Sequence, residues 1–371
     1  MRKVFVLADN IFSPLGRNTA GNIEALKKGD SGIRLQQSPV SEIPFYASLL
    51  DPEAKSGDPA LSEFENIVVS SVTDALKDGD ADPASPRTGF ILSSTKGNIG
   101  LIEKDASLPE SRIGLSSSAE RIAQQLGIRN EPVVVSHACI SGLLAMITGM
   151  RLIQSGVYDE VIVSGADLIT DFILSGFRSF QAISPEPCKP FDAARDGITL
   201  GEAAATVILS SRKKEGAVLL SGGSVSNDAN HISGPSRTGK ELFFAIRNAI
   251  RQAGIQPAEI DFISAHGTAT PYNDDMEAKA IHLAGLAAVP LNSLKGFYGH
   301  TLGAAGLVES IVSIHSLKEN LLFPTPGFTN PGTEKAVHVI QQLTAAKLGK
   351  CLKTASGFGG CNAAIILENL Q

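Results

Sequence analysis

Residues 201–209 read GEAAATVIL and residues 359–367 read GGCNAAIIL. Aligned without gaps, the two stretches share their glycine, one alanine and the closing Ile-Leu. Each lies about the same distance downstream of a strand-like run that turns sharply into an apolar helix, the first turn carrying Cys139 and the second His300. A matched order of elements around a weak repeat predicts two similar halves, residues 1–214 and 215–371, with the seam in the charged stretch 212–216.

The rest of the chain fits that frame. Strands are expected at 3–7, 133–135, 161–163, 207–209, 260–263 and 365–367, and helices at 62–76, 141–154, 240–253 and 303–318. Most of the strand runs lack polar alternation, which predicts α/β layers with sheets covered on both faces.

Composition removes whole classes of function. The chain has 371 residues, 43% of them hydrophobic and 19% charged, with a formal net charge of -6, so bulk electrostatics give no basis for nucleic-acid binding. The 36 glycines and 19 prolines follow no G-X-Y period. Four cysteines, Cys139, Cys188, Cys351 and Cys361, have no C-x-x-C spacing, so neither a zinc site nor a disulfide framework is indicated and a reducing compartment is the simpler reading. Residues 4–8 are too short for a signal-peptide core, and the apolar run 142–150 stops at Arg151, well below a membrane span. These features predict a cytoplasmic protein that does not engage a membrane.

Three stretches carry candidate chemistry. In PVVVSHACISGLLAM, residues 132–146, a buried strand runs into Cys139 and a helix follows from Ser141 and Gly142. A thiol at a helix N-terminus is expected to lean toward thiolate, with backbone N–H groups available to a developing oxyanion; the competing reading is an ordinary buried cysteine. SAHGTATP, residues 264–271, places His266 after a strand end beside Thr268 and Thr270, and LNSLKGFYGHTLGAAG, residues 291–306, places Lys295 and His300 in a glycine-rich loop before a helix. Either histidine alone reads as a hydrogen-bonded structural residue; two in matching settings fit a site that polarises one acyl oxygen. Glu309, fourteen residues after Lys295, lies in an apolar helix pattern where it can pair with that lysine. In SGFGGCN, residues 356–362, Phe358 reads either as a movable aromatic gate or as an apolar side chain in a tight turn. Residues 234–241, GPSRTGKE, imitate a phosphate-binding loop but lack the Ser/Thr needed for magnesium, and neither G-x-S-x-G nor H-E-x-x-H occurs.

Together PVVVSHACISG, PFDAARDGITLGEAAA, AHGTATPYND, LNSLKGFYGHTLGAAGLVES and SGFGGCNAAIIL resemble the β-ketoacyl-[acyl carrier protein] synthases, from the N-terminal VFVLADNIFSPLG to the last strand. The resemblance implies a thiolase-like layered α-β-α-β-α fold built from two βαβαβαβ halves. It implies Cys139 as nucleophile, His266 and His300 as the catalytic pair, Lys295 and Glu309 as a supporting ion pair, and the N–H groups of Cys139 and Phe358 as oxyanion hole, with Phe358 also the gate. Thr268, Thr270 and Gly359 fall where the substrate arm is bound. The implied reaction is decarboxylative condensation of malonyl carrier protein with a Cys-bound acyl chain, with no metal or organic cofactor. The implied partners are an acyl carrier protein and a second subunit, dimerisation running through the strand before the nucleophile.

Departures from the family pattern bear on the substrate and the partner. His137 and Ile140 flank the nucleophile, residues 103–132 are short, and residues 58–65, DPALSEFE, are acidic where the fatty-acid enzymes carry basic residues facing the carrier protein. These features leave open a homodimer, or the catalytic subunit of a heterodimer with a chain-length-factor-like partner, in a fatty-acid, polyketide or polyene pathway. A non-catalytic partner subunit is disfavoured by Cys139, and a thiolase-type acyltransferase by the presence of two histidines.

Overall fold

The computed structural model describes residues 2–38 and 41–370. Ten strands form its scaffold, five from each half. The N-terminal half supplies β1 (Phe5–Phe12), β2 (Thr88–Ser93), β3 (Val133–Val135), β4 (Glu160–Asp167) and β5 (Ala203–Ser210). The C-terminal half supplies β6 (Val218–Asn227), β7 (Phe262–Ser264), β8 (Pro290–Asn292), β9 (Lys350–Gly357) and β10 (Cys361–Glu368).

Both halves use the same spatial order, first-fifth-fourth-second-third. Both also use the same directions: the second strand runs parallel to the third and fourth, whereas the fifth runs antiparallel to the fourth and first. The two blocks that align in sequence are the fifth strands, β5 and β10. β1 pairs with β6 antiparallel, Phe5 opposite Leu219 and Val6 opposite Val218, so the halves join edge to edge in one mixed sheet of eleven strands, His338–Val339 being the outermost beyond β8.

Helices cover this sheet in layers. On the N-terminal half lie α1 (Glu63–Asp78) and α2 (Leu115–Gln125). The central helix α3 (Ser141–Gln154) packs on β4 and β2 from one half and β10 from the other. After α4 (Asp171–Ser179) come α5 (Lys240–Ala253) and α6 (Pro271–Leu283), which cover the outer face of the C-terminal half, and α7 (Ala305–Glu319), which packs beside α3 in the centre. The result is an α-β-α-β-α stack. β4 and β5 are buried at every residue, as expected of strands covered on both faces. Each fully buried Val, Ile or Leu contributes about 1.5–3 kcal/mol, so the central layer anchors everything attached to it.

Sequence periodicity located Ser141–Gln154 and Lys240–Ala253 to the residue. It began β1 two residues early and ended it five residues short, and missed β2, β6, β8 and β9.

The fold brings the Cys139 and His300 turns together through two glycines. Each central helix has a glycine in its first turns, Gly142 in α3 and Gly306 in α7. A Cβ on Gly142 would lie 2.9 Å from the Gly303 carbonyl oxygen, and one on Gly306 would lie 2.6 Å from the Leu143 nitrogen. The absence of side chains there lets the helix starts touch. The turn carrying Cys139 and the turn carrying His300 therefore face each other.

Candidate active site

Cys139 stands where β3 gives way to α3. The preceding residue, Ala138, has φ of 45°, a left-handed conformation costly for a residue with a Cβ. Ser141 holds this turn closed: its hydroxyl accepts from the His137 N–H at 2.7 Å and donates to the Ala138 carbonyl at 2.7 Å. Cys139 is 9% exposed, at the floor of a cavity of about 480 Å³ that also exposes His266, His300, Thr268, Thr270, Phe358, Phe177 and Phe180.

The two histidines converge on the thiol. Cys139 Sγ and one nitrogen from each ring lie within 4.8 Å of one another, and the rings meet edge to face with centroids 5.3 Å apart. His266 is held from its N–H side by Glu277 of α6, whose carboxylate accepts from the His266 and Gly267 N–H groups at 2.8 Å each. From the other side Lys295 Nζ donates to the His266 carbonyl at 2.5 Å, lies 3.4 Å from His266 Nδ1 and pairs with Glu309 at 2.6 Å. An ammonium facing Nδ1 leaves that nitrogen the acceptor and the other ring nitrogen the donor. The expected Lys295–Glu309 pair is thus present and fully buried. His300 donates its backbone N–H to Thr199, and its Nδ1 meets no partner among the described residues. Asp167, at the end of β4, accepts from Ser94, Thr95, Lys96 and Gly303, tying the loop after β2 to the turn just past His300.

Electrostatics keep both imidazoles neutral. Burial, then the Lys295 charge, pushes His266 and His300 well below the ordinary histidine value, with Lys353 adding to both. The thiol behaves otherwise than its helix-end position suggested. Burial, reinforced by Cys361, pushes Cys139 up to about 12, and Lys295 only partly offsets this. The resting group is a thiol, and a neutral imidazole within 4.8 Å is placed to accept its proton. The same three atoms are close enough to surround a soft cation, but the two ammonium groups beneath them oppose one.

The remaining expected residues fall in different places. Thr268 and Thr270 face the cavity, their hydroxyls 3.0 Å apart, while Thr270 also caps α6. Phe358 is 36% exposed and packs on Phe177 and Phe180 with centroids 5.8 and 5.4 Å away, an aromatic cluster across the mouth. Gly359 does not line the cavity; its N–H donates to the Ile232 carbonyl, and Gly360 takes the lining position instead. His137 is exposed and likewise off the cavity wall.

The acidic stretch 58–65 is turned partly inward. Ser62 and Glu65 form the capping box of α1, and Glu65 is fully buried against Arg121 at 2.7 Å and Asn98 at 2.9 Å. Glu63 is bridged by Lys104 at 3.0 Å. Glu65 therefore presents no charge to a partner, and Glu63 presents one already paired.

Sequence reasoning passed over Glu277, Asp167 and Lys353, all buried. Only Lys353, a charge inside the apolar run CLKTAS, left a visible signal.

Comparison with known proteins agrees with this geometry. Residues 1–215 match the family model "Beta-ketoacyl synthase, N-terminal domain" and residues 217–329 its C-terminal counterpart. The chain is 29% identical to a 3-oxoacyl-[acyl-carrier-protein] synthase 2 of Coxiella burnetii, covering 100% of this chain and 99% of that one. The fold superposes on a beta-ketoacyl synthase of Burkholderia phymatum with a TM-score of 0.90 at 24% identity, all of both chains being covered. It superposes on a ketosynthase of Xenorhabdus doucetiae, solved in complex with its chain length factor, with a TM-score of 0.86 at 27% identity over 99% of this chain and 98% of that one. A sheet repeated strand for strand, a thiol between two neutral imidazoles and two family models that together reach from residue 1 to residue 329 lead to one conclusion: the chain belongs to the beta-ketoacyl synthase family.

Proposed function

We propose that the chain carries out decarboxylative condensation of malonyl carrier protein with an acyl group held on Cys139. The observation that carries this reading is the convergence of Cys139, His266 and His300 within 4.8 Å at the floor of one cavity. In the first half-reaction the Cys139 sulfur attacks an acyl thioester, forming the new S–C bond as the bond to the carrier sulfur breaks, while its proton moves through His300, whose tautomer no neighbour fixes, to the leaving carrier thiolate. The N–H groups of Cys139 and Phe358 stabilise the tetrahedral oxyanion. In the second, the malonyl C–C bond to the carboxylate breaks, CO₂ leaves, and the enolate oxygen accepts N–H bonds from His266 and His300. The carbanion then attacks the Cys139 thioester, the C–C bond forms as the C–S bond breaks, and the departing sulfur takes up a proton from solvent. No step requires a metal or organic cofactor. Lys295 and Glu309 hold His266 in its donor tautomer, Phe358 gates the acyl chain, and Thr268 and Thr270 line the approach of the carrier arm.

Incubating the purified chain with malonyl carrier protein and a panel of acyl carrier proteins tests this directly. CO₂ release together with a 3-oxoacyl product extended by two carbons is expected, and acylation of Cys139 without either product would overturn it.

The partner is read from the sheet edge. β3 is the last strand on its side, with Val133 exposed, so a strand from a second subunit can continue the sheet there. A symmetric homodimer is the favoured arrangement. The Xenorhabdus ketosynthase with its chain length factor supports the second arrangement, a heterodimer with a related subunit. Mass and activity of the chain purified alone separate the two: a stable, fully active homodimer excludes the obligate heterodimer.

A further inference from the structure

Lys353 is among the largest wholly buried side chains of the protein, and no step above uses it. It projects from β9, in register with Ser264 of β7 and Ile365 of β10. Its ammonium lies 2.8 Å from Glu309 Oε2 and donates to the carbonyls of Ser264 at 3.2 Å, Ala265 at 3.3 Å and Thr354 at 2.6 Å. Lys295 takes the other oxygen of Glu309 and the next carbonyl along, that of His266. Two ammonium groups thus secure three successive carbonyls of the segment that ends in His266. The adjoining Thr354 hydroxyl donates to Glu277 at 2.6 Å, the carboxylate that holds the same segment by its N–H groups.

We infer that Lys353 is a second positioning lysine of this site, fixing the end of the strand that delivers His266 and sharing Glu309 with Lys295. The inference rests on the condensation reading and goes beyond it. Filling a sheet interior does not call for a charge: a buried ammonium carries a desolvation penalty of several kcal/mol, and an unbranched apolar side chain would occupy similar space without it. What the charge adds is balance. The charged groups facing Lys353 are Glu309 from α7, Lys295 from the Lys295–Tyr298 turn and Glu277 from α6, with the imidazoles of His266 and His300 beyond them. Two cations oppose two carboxylates. Removing Lys353 leaves one negative charge in excess, which favours imidazolium, so the neutral donor form is lost at a higher pH than in the native protein.

The test compares wild type with Lys353→Met and Lys353→Arg in two assays: Cys139 acylation followed by intact mass, and CO₂ release from malonyl carrier protein across pH. For Lys353→Met, CO₂ release is expected to fall ~10-fold or more, its acid limb to move up by about one pH unit, and acylation to stay within about threefold of wild type. Lys353→Arg keeps the charge, so its acid limb is expected at the wild-type position even where crowding lowers the rate. Equal loss of both half-reactions in Lys353→Met would overturn the inference, because Lys353 would then be only a strut of the fold. An unmoved acid limb in Lys353→Met, or one that moves equally in Lys353→Arg, would also overturn it. A wild-type chain that released no CO₂ would retire the condensation reading, and this inference with it.

Discussion

Substituting alanine for Gly142 tests the claim that the contact between the two central helices sets the catalytic geometry. A Cβ there would lie 2.9 Å from the Gly303 carbonyl oxygen and 3.0 Å from the Leu307 nitrogen, against ordinary contact from 3.4 Å, so α3 and the start of α7 must part by about 0.5 Å. Both neighbours are backbone atoms and cannot rotate away. Overpacking of this kind costs about 1–3 kcal/mol, which in a chain this large lowers Tm by roughly 2–6 °C. Gly303 is three residues from His300, and Gly142 three from Cys139, so the displacement is delivered to the thiol and the imidazole. With about 100-fold lost per 1 Å of misplacement, half that distance predicts a ~10-fold fall in condensation. Gly306→Ala, whose Cβ would meet the Leu143 nitrogen at 2.6 Å, should cost more on both counts. Gly176→Ala in α4 meets nothing within 4 Å and should gain up to ~1 kcal/mol from helix propensity. Differential scanning fluorimetry and single-turnover condensation give both readouts. A Gly142→Ala protein with native Tm and native rate would refute the reasoning.

The site and its supports give three further expected outcomes. His266→Ala and His300→Ala should abolish CO₂ release while leaving slow acylation of Cys139, and peptide mapping should place the acyl group on Cys139 alone among the four cysteines; wild-type decarboxylation in either variant would remove that histidine from the mechanism. With its thiol pushed up to about 12, Cys139 should be alkylated by iodoacetamide at a rate still climbing through pH ~10, whereas a plateau near pH ~8 would mean a thiolate is present at rest. Arg121→Ala strands the buried Glu65 carboxylate and should cost ~3 kcal/mol, the low end for a buried pair because Arg121 is partly exposed. Burial alone would raise Glu65, but its bonds to Arg121, Ser62 and Asn98 outweigh that and hold it below 4.5. The stabilisation is therefore full above the unfolded carboxylate value and disappears as pH falls through the folded one, so chemical denaturation of wild type and variant should converge at acid pH.

The features disclosed by the sequence and those it withheld divide along a physical line. Cys139, His266, Lys295 and Phe358 each stand just past the end of a strand and His300 just past the short Lys295–Tyr298 turn, where glycine and hydroxyl residues mark a break, and such breaks are visible in a linear text. The repeat was legible because β5 and β10 are buried on both faces and close on apolar runs; β6 escaped because Gly222 and Gly223 interrupt its run, and β8 because only Leu291 is apolar between Pro290 and Asn292. The errors arose where a local rule met a burial it did not take into account. A helix start favours thiolate only when desolvation is small, and at Cys139 desolvation dominates. An acidic stretch reads as surface until one of its carboxylates turns inward to cap a helix, as Glu65 does. Lys353 reverses the lesson. A lysine between Leu352 and Thr354 in a strand that must be buried contradicts its own surroundings, and a sequence retains such a contradiction only where a buried counter-charge answers it. Glu309 answers two lysines at once, so the apolar pattern of α7 was already pointing to a partner on β9 as well as to Lys295.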